Sequence, residues 1–142
     1  MSGQQELALA IRDAEKLHGH LGPFLVIGVR MGKMAQRILS AREDDKLRAY
    51  ARIPVLTPFS CILDGIQVTT GCTVGNQRLS IENSKEIAVR FELERHRALS
   101  VCVNPRAVKE LMGKISGGAS NEELAWEIAR MPEDRLFSVE KQ

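Results

Sequence analysis

The spacing of apolar positions predicts two helices at the start of the chain. Over residues 4–17 apolar side chains recur every three or four positions, which is typical of an amphipathic helix. Gly19 supplies a stop for this helix, because glycine readily adopts the left-handed conformation found after helix C-termini. Pro23 suits the first turn of a second helix over 23–39, where its missing N–H is harmless. The first half of that helix is apolar nearly all round, so we expect it to be buried.

Alternating polar and apolar positions predict a strand after the second helix. Residues 47–55 alternate in this way. Pro54 places the end of the strand at a sheet edge, because proline cannot donate to a hydrogen-bond ladder. Helix-start residues, among them Ser60, then predict a short third helix over 60–70 that ends at Gly71.

The second half of the chain is dominated first by β-type patterning and then by helices. Helices and strands cluster along the chain and do not alternate strictly, which favours an α+β fold over a parallel α/β sheet. We predict helices around a small, mainly antiparallel sheet, in a single domain over residues 1–142 without internal repeats. The predicted elements are strands at 79–82, 86–94 and 97–103, a helix after Pro105, a break at Gly117 and Gly118, a helix at 120–130 and a strand at 136–139.

Composition and charge narrow the possible partners and the location. The net charge of +2, with basic and acidic residues interleaved, argues against a nucleic-acid partner. No stretch reaches the roughly 20 apolar residues that would span a bilayer, and the N-terminus lacks signal-peptide features. The three cysteines are an odd, sparse set, unlike a secreted disulfide framework. We therefore expect a cytoplasmic protein with reduced thiols and no membrane association.

Two of the three histidines fall in one short glycine-containing turn. His18 and His20 are flanked by Gly19 and Gly22, so the backbone can approach another group closely. Imidazole is the commonest metal ligand, and the start of the helix that follows favours an anion. The alternative is that both are ordinary polar loop residues. We favour a functional interpretation for the pair, because loops often bear binding sites.

Cys61 is the second candidate, in the first turn of the predicted third helix. A helix dipole lowers the pKa of a thiol at this position and favours the thiolate that metals bind. Asp64 follows on the same face, where it could orient a histidine, bind a metal directly or act as a base. Gln67, farther round the helix, could offer a hydrogen bond. The alternative for Cys61 is a small buried residue of the core.

The remaining cysteines and the third histidine are weaker candidates. Cys72 lies eleven residues beyond Cys61. On a continuous helix this corresponds to a rise of roughly 16 Å, so both thiols hold one ion only if Gly71 turns the chain back. We interpret Cys72 as a wall of the site. Cys102, in an apolar run, is predicted to lie in the core, and His96 to be a solvated residue at a strand turn.

Taken together, these residues predict a site for a divalent transition metal, with zinc as the expected ion. The sequence contains no Cys-x-x-Cys pair, phosphate-binding loop, dinucleotide fingerprint or nucleophile elbow. The metal ligands we predict are His18, His20 and Cys61, and the other residues expected to line the site are Asp64, Gln67 and Cys72.

Three motifs along the chain resemble one known family. They are His-Gly-His-Leu-Gly-Pro at 18–23, Cys-Ile-Leu-Asp-Gly-Ile-Gln at 61–67 and Thr-Gly-Cys-Thr-Val-Gly-Asn at 70–76. Their combination closely resembles the family of the E subunit of formylmethanofuran dehydrogenase, over essentially the whole chain. The resemblance implies a homodimeric α+β core with a groove between the histidine turn and the cysteine helix, where a metal such as zinc binds. The positions that match the family's polar residues are His18, His20, Cys61, Asp64, Gln67 and Cys72.

Two departures from the family pattern affect what the resemblance implies. The family usually has cysteine where this chain has Gly22, so one potential thiol is missing from the first motif. Many members also have a C-terminal cysteine-rich zinc ribbon that is absent from this sequence. Similar members occur outside methanogens, so the family name does not establish the methanofuran reaction here.

Three functions remain in view. The first is a metal-binding accessory protein or small subunit in one-carbon or molybdenum/tungsten redox metabolism, with redox-enzyme subunits as partners. The second is a stand-alone enzyme whose metal activates water or a small anionic substrate. The third is a non-catalytic oligomeric scaffold. We favour the first, because no complete catalytic constellation can be assembled from the sequence.

Overall fold

The computed structural model describes residues 2–42, 44–94 and 97–141. Within these ranges the chain forms six helices and five strands. The helices are α1 (Gly3–His18), α2 (Pro23–Leu39), α3 (Cys61–Thr70), α4 (Pro105–Ser116), α5 (Asn121–Arg130) and the single turn α6 (Glu133–Leu136). The strands are β1 (Arg48–Ile53), β2 (Leu79–Asn83), β3 (Ala88–Leu93), β4 (Arg97–Val103) and β5 (Phe137–Lys141).

The strands form one open sheet with the order β2-β1-β3-β4-β5. The β1–β2 pair is parallel, and the other pairs are antiparallel. In β1, alternate residues from Ala49 to Ile53 are buried and those between them are exposed, so one face of the sheet packs against the helices. The predicted α+β fold with a mainly antiparallel sheet is confirmed.

The position of β1 in the sheet differs from the prediction. We expected Pro54 to mark a sheet edge, but β1 lies inside the sheet, between β2 and β3. The prediction is wrong because the strand ends at Ile53, so the missing N–H of Pro54 falls beyond the ladder.

Glycines end α1 and α3, the two helices that contain His18 and Cys61. Gly19 follows α1 with φ 99°, and Gly71 follows α3 with φ 74°, both in the left-handed region. The predicted helix ends are confirmed. Ser60 directly precedes α3, but its side chain makes no capping hydrogen bond, because its backbone is already helical (φ −64°, ψ −15°). No helix of the described residues is long and apolar enough to cross a membrane.

Helix α2 is the buried centre of the helical layer, and it approaches α3 unusually closely. Its first seven residues, 23–29, are all buried, as the sequence predicts. A Cβ atom at Gly28 would lie 2.1 Å from the carbonyl oxygen of Ile62, and one at Gly65 would lie 2.4 Å from that of Leu25. Because only glycine fits at both positions, the two backbones touch. This contact fixes the start of α3 relative to the start of α2.

Replacing Gly65 with alanine tests the importance of this contact. We expect Gly65→Ala to lower the free energy of unfolding by about 1–3 kcal/mol, because the added methyl group forces the helices apart. The measurement is urea denaturation followed by circular dichroism. Gly113 is the matched control, since it lies exposed in α4 with no atom near its missing Cβ. Gly113→Ala should raise stability by about 0.5–1 kcal/mol. Equal unfolding midpoints for the two variants would contradict the account.

Candidate metal site

The connection from α1 to α2 places two imidazoles side by side. His18 is the last residue of α1, and Gly19 turns the chain so that His20 follows on the same side. The ring centroids of His18 and His20 lie 4.3 Å apart, with the planes tilted by 43°. Gly22 then caps α2 without a side-chain hydrogen bond, and Pro23 begins the helix.

The cysteine helix brings a thiol to the same place. Cys61 is the first residue of α3 and is 9% exposed. The ligand atoms of His18, His20 and Cys61 all lie within 4.8 Å of one another. Zinc binds nitrogen at about 2.0–2.1 Å and sulfur at about 2.3 Å, so in a tetrahedral site the donors lie roughly 3.3–3.6 Å apart. Binding of one ion by all three donors would therefore draw them closer together than 4.8 Å.

Asp64 determines which nitrogen of His18 is free. The Nδ1 atom of His18 lies 2.6 Å from Oδ2 of Asp64. Since a carboxylate only accepts hydrogen bonds, Nδ1 is the donor and Nε2 is left as the possible metal-binding atom. Nε2 is buried and has no partner among the described residues. Buried polar atoms without a partner are rare, and a cation bound by the imidazole would satisfy this one.

The side chain of Gln67 holds the carboxylate of Asp64 through a further hydrogen bond. The side-chain amide of Gln67 donates to Oδ1 of Asp64 at 3.0 Å, and its oxygen accepts from the backbone N–H of Val74 at 3.4 Å. The turn containing Val74 is held by two reciprocal hydrogen bonds of 3.0 Å between Thr73 and Asn76. The Thr-Gly-Cys-Thr-Val-Gly-Asn motif thus supports the histidine turn through Gln67 and Asp64.

Cys72 is not part of this cluster. Gly71 does turn the chain, but the thiol of Cys72 is buried and donates to the carbonyl oxygen of Leu47 at 3.0 Å. The structure thus brings together five of the six predicted site residues and directs the sixth toward the start of β1. The other cysteine, Cys102, is half-buried on β4 and not in the core, so that prediction is wrong. His96 lies outside the described residues.

The pKa of the Cys61 thiol also differs from the prediction. Burial raises this pKa, and the negative charge of Asp64 raises it further. The lowered pKa expected from the helix start is wrong, because loss of solvation and a nearby carboxylate outweigh the helix end. A cation next to the sulfur would reverse the balance and favour the thiolate.

A small cavity opens beside the three donors. Its volume is about 50 Å³, and its walls come from the histidine turn, the starts of α2 and α3, the segment before α3, the end of α4 and the start of α5. Phe24, Pro58 and Ile115 make parts of the wall apolar, and Asn121 supplies an amide. The sequence did not place Pro58, Ile115 and Asn121 in the site, because tertiary packing alone brings them there.

Two known proteins are similar to this chain over nearly its whole length. A probable S-adenosyl-L-methionine-binding protein of Archaeoglobus fulgidus is 29% identical to this chain over an alignment 159 positions long. The match covers 96% of this chain but only 43% of that protein, so the chain spans less than half the length of this relative. The crystal structure of a protein from Syntrophus aciditrophicus, similar to the E subunit of tungsten formylmethanofuran dehydrogenase (FmdE), superposes with a TM-score of 0.70 at 18% identity. It matches 96% of this chain and 71% of that chain, which shows a shared fold.

The family model confirms the resemblance noted in the sequence. The model described as FmdE, molybdenum formylmethanofuran dehydrogenase operon, matches residues 17–138. The match begins one residue before His18, includes the cysteine helix and the turn after it, and ends within β5. The chain therefore belongs to the FmdE family.

Proposed function

We propose that this FmdE family member binds one divalent metal ion, zinc, through His18, His20 and Cys61. In this proposal it works as an accessory protein or small subunit in molybdenum- or tungsten-dependent redox metabolism of one-carbon compounds. The observation that supports the proposal most strongly is the cluster of three donors within 4.8 Å. The buried Nε2 of His18, which has no partner within residues 2–42, 44–94 and 97–141, lies in this cluster and adds to that support.

The types of donor favour zinc over the hard cations. Imidazole and thiolate ligands suit zinc, whereas magnesium and calcium prefer oxygen. The hydrogen bond from His18 to Asp64 is the carboxylate–histidine arrangement that commonly orients a zinc ligand. Two imidazoles and one thiolate leave a fourth position open, as in catalytic and substrate-binding zinc sites.

The accessory role is supported by the family and by the side chains that line the cavity. The family is described by the operon of a molybdenum dehydrogenase, which supports redox-enzyme subunits as partners. Among the described residues that line the cavity, the nucleophilic or basic side chains are those of the three proposed ligands. The three cysteines are free of disulfides, which supports a cytoplasmic location.

The open sheet supports a homodimer. On the sheet face that points away from Ala49, Ala51 and Ile53, the side chains of Arg48, Tyr50 and Arg52 of β1 are exposed. The edge strands expose Ile81 (40%) and Val139 (43%).

We expect light scattering coupled to gel filtration to give twice the mass of one chain at micromolar concentration. A single-chain mass at that concentration would contradict the dimer.

A stand-alone metal-dependent enzyme is the second candidate, because a metal held by three protein donors would keep one position open. A metal with an open position can activate water or a small anionic substrate. Turnover by the isolated chain would distinguish this function from the accessory role.

Metal content in cysteine variants tests the proposed ligands. We expect the purified protein to contain close to one zinc per chain, and Cys61→Ser to contain far less, because the variant loses the thiolate. Cys102→Ser makes the same chemical change outside the cluster and should keep the metal. The measurement is elemental analysis by mass spectrometry. Full zinc content in Cys61→Ser would overturn the assignment, and a metal-free wild type of unchanged stability would favour the scaffold function.

Substitution of Asp64 tests the orienting role of its carboxylate. We expect Asp64→Asn to bind zinc about 10–100-fold more weakly at unchanged stoichiometry, because the partner of His18 Nδ1 loses its charge. The affinity is measured by competition with a chromophoric chelator. Asp13→Asn, an equal charge change at an exposed position of α1, is the control and should bind as wild type. Wild-type affinity in Asp64→Asn would show that Asp64 has no part in metal binding.

A further inference from the structure

We propose that a second cleft, between α1 and the end of α5, binds an organic monocarboxylate with an apolar body, and that Arg30 holds its carboxylate. The cleft is lined by parts of α1, α2 and α5 and by the start of α6. None of its lining residues belongs to the small cavity beside the proposed metal ligands. The inference therefore goes beyond the proposed metal binding and does not depend on it.

The cleft has the size and the walls of a site for a small organic molecule. Its volume is about 530 Å³. Ligand sites of this kind measure about 300–1,000 Å³ and are mostly apolar. Leu7 and Ala8 lie four and three positions before Ile11, so the three side chains share one face of α1. Trp126 and Met131 add apolar surface from α5 and the residue after it.

Arg30 brings a fixed positive charge to this cleft. Its Nη1 atom donates to the carbonyl oxygens of Ile128 at 2.7 Å and Met131 at 2.5 Å, at the C-terminal end of α5. In the part of the chain that the structure describes, Nε and Nη2 of Arg30 make no hydrogen bond and are not among the buried atoms. These two nitrogens form one edge of the guanidinium, and such an edge binds a carboxylate through two parallel hydrogen bonds.

The charge of Arg30 is not neutralised by an acid among the described residues, because Arg30 belongs to none of their ion pairs. Glu133 also lines the cleft, but both of its carboxylate oxygens accept from Nη2 of Arg37, at 2.9 and 3.0 Å. Burial lowers the pKa of Arg30, Glu133 raises it and Arg37 lowers it. Since the guanidinium stays charged and is partly removed from water, an anion at its free edge would stabilise it.

The other charges around the cleft also favour an anion. Across the cleft and the cavity that adjoins it at Arg30, four cationic side chains face two acidic ones. The cations are Arg30, Lys33, Arg37 and Arg130, and the acids are Glu6 and Glu133. Arg12, which lies over the ring of Trp126, is paired with Glu15 at 2.7 Å and does not change this excess. One free guanidinium edge accommodates one carboxylate, and the apolar walls accommodate the rest of the ligand.

Trp126 reports directly on occupation of the cleft, because it is the one tryptophan of the sequence and lines this space. The full chain is titrated with decanoate below its micelle-forming concentration, and separately with decanol, which has the same apolar body without the charge. We expect decanoate to shift the fluorescence of Trp126 saturably, with one site per chain by titration calorimetry. Decanol should bind about tenfold or more weakly, because it loses the charge-assisted hydrogen bonds.

Two substitutions test the two halves of the proposed ligand. Arg30→Lys keeps the charge but removes the two-donor edge, so decanoate should bind about tenfold more weakly and decanol as before. Ala8→Phe fills the apolar part of the cleft and should weaken both ligands by about tenfold or more. Ala119→Phe, the same change at an exposed position outside the cleft, is the control and should bind both ligands as wild type. Circular dichroism of each variant without ligand checks that it is folded.

Each outcome decides for or against the carboxylate site. Unchanged decanoate affinity in Ala8→Phe would place the ligand outside this cleft, and equal affinities for decanoate and decanol would overturn the role of Arg30. Both results remain available if Arg30→Lys does not fold. Absence of any response to decanoate would overturn the proposal, and loss of a dimer in Ala8→Phe would then identify the cleft as a contact between two copies of the chain. The titrations need no metal, so failure of the proposed zinc site would leave them interpretable.

Discussion

The contact between the backbones of α2 and α3 is the constraint on which the site depends. Gly28 and Gly65 allow the two helices to touch, and a methyl group at either position would overlap a carbonyl oxygen of the other helix. Since α2 begins directly after the histidine turn and α3 begins with Cys61, this one contact sets the distance between imidazole and thiol. The proposed ligands come from distant parts of the sequence, but their spacing follows from helix packing.

Hydrogen bonds then convert this spacing into a specific chemical state. The turn after α3 holds Gln67, Gln67 holds Asp64, and Asp64 accepts from Nδ1 of His18. The result is a histidine whose other nitrogen is buried and finds no partner in the part of the chain that the structure describes. Such an atom is costly in a folded protein unless a ligand satisfies it. The proposed metal site, the small cavity and the start of α2 thus form one connected arrangement.

The sequence predicts the local parts of this arrangement well. Glycine at position 19 ends a helix because of its own conformational freedom, and the histidines and Cys61 stand out by residue type and spacing. Properties set by burial and tertiary packing are less accessible. The pKa of Cys61 depends on burial and on Asp64, which oppose the helix end. Sequence alone also gives no indication that the thiol of Cys72 donates to the carbonyl oxygen of Leu47, just before β1, or that Asn121 reaches the cavity. Both contacts depend on tertiary packing.

X-ray absorption at the zinc edge of the zinc-loaded chain tests the central claim most directly, because it reports the atoms bound to the metal. The account predicts two imidazole nitrogens at about 2.0–2.1 Å and one sulfur at about 2.3 Å, with a light atom in the fourth position. A shell made only of oxygen and nitrogen would contradict the role of Cys61. Two or more sulfurs would contradict the proposed set of two histidines and one cysteine, because the thiol of Cys72 donates to the carbonyl oxygen of Leu47, away from the cluster.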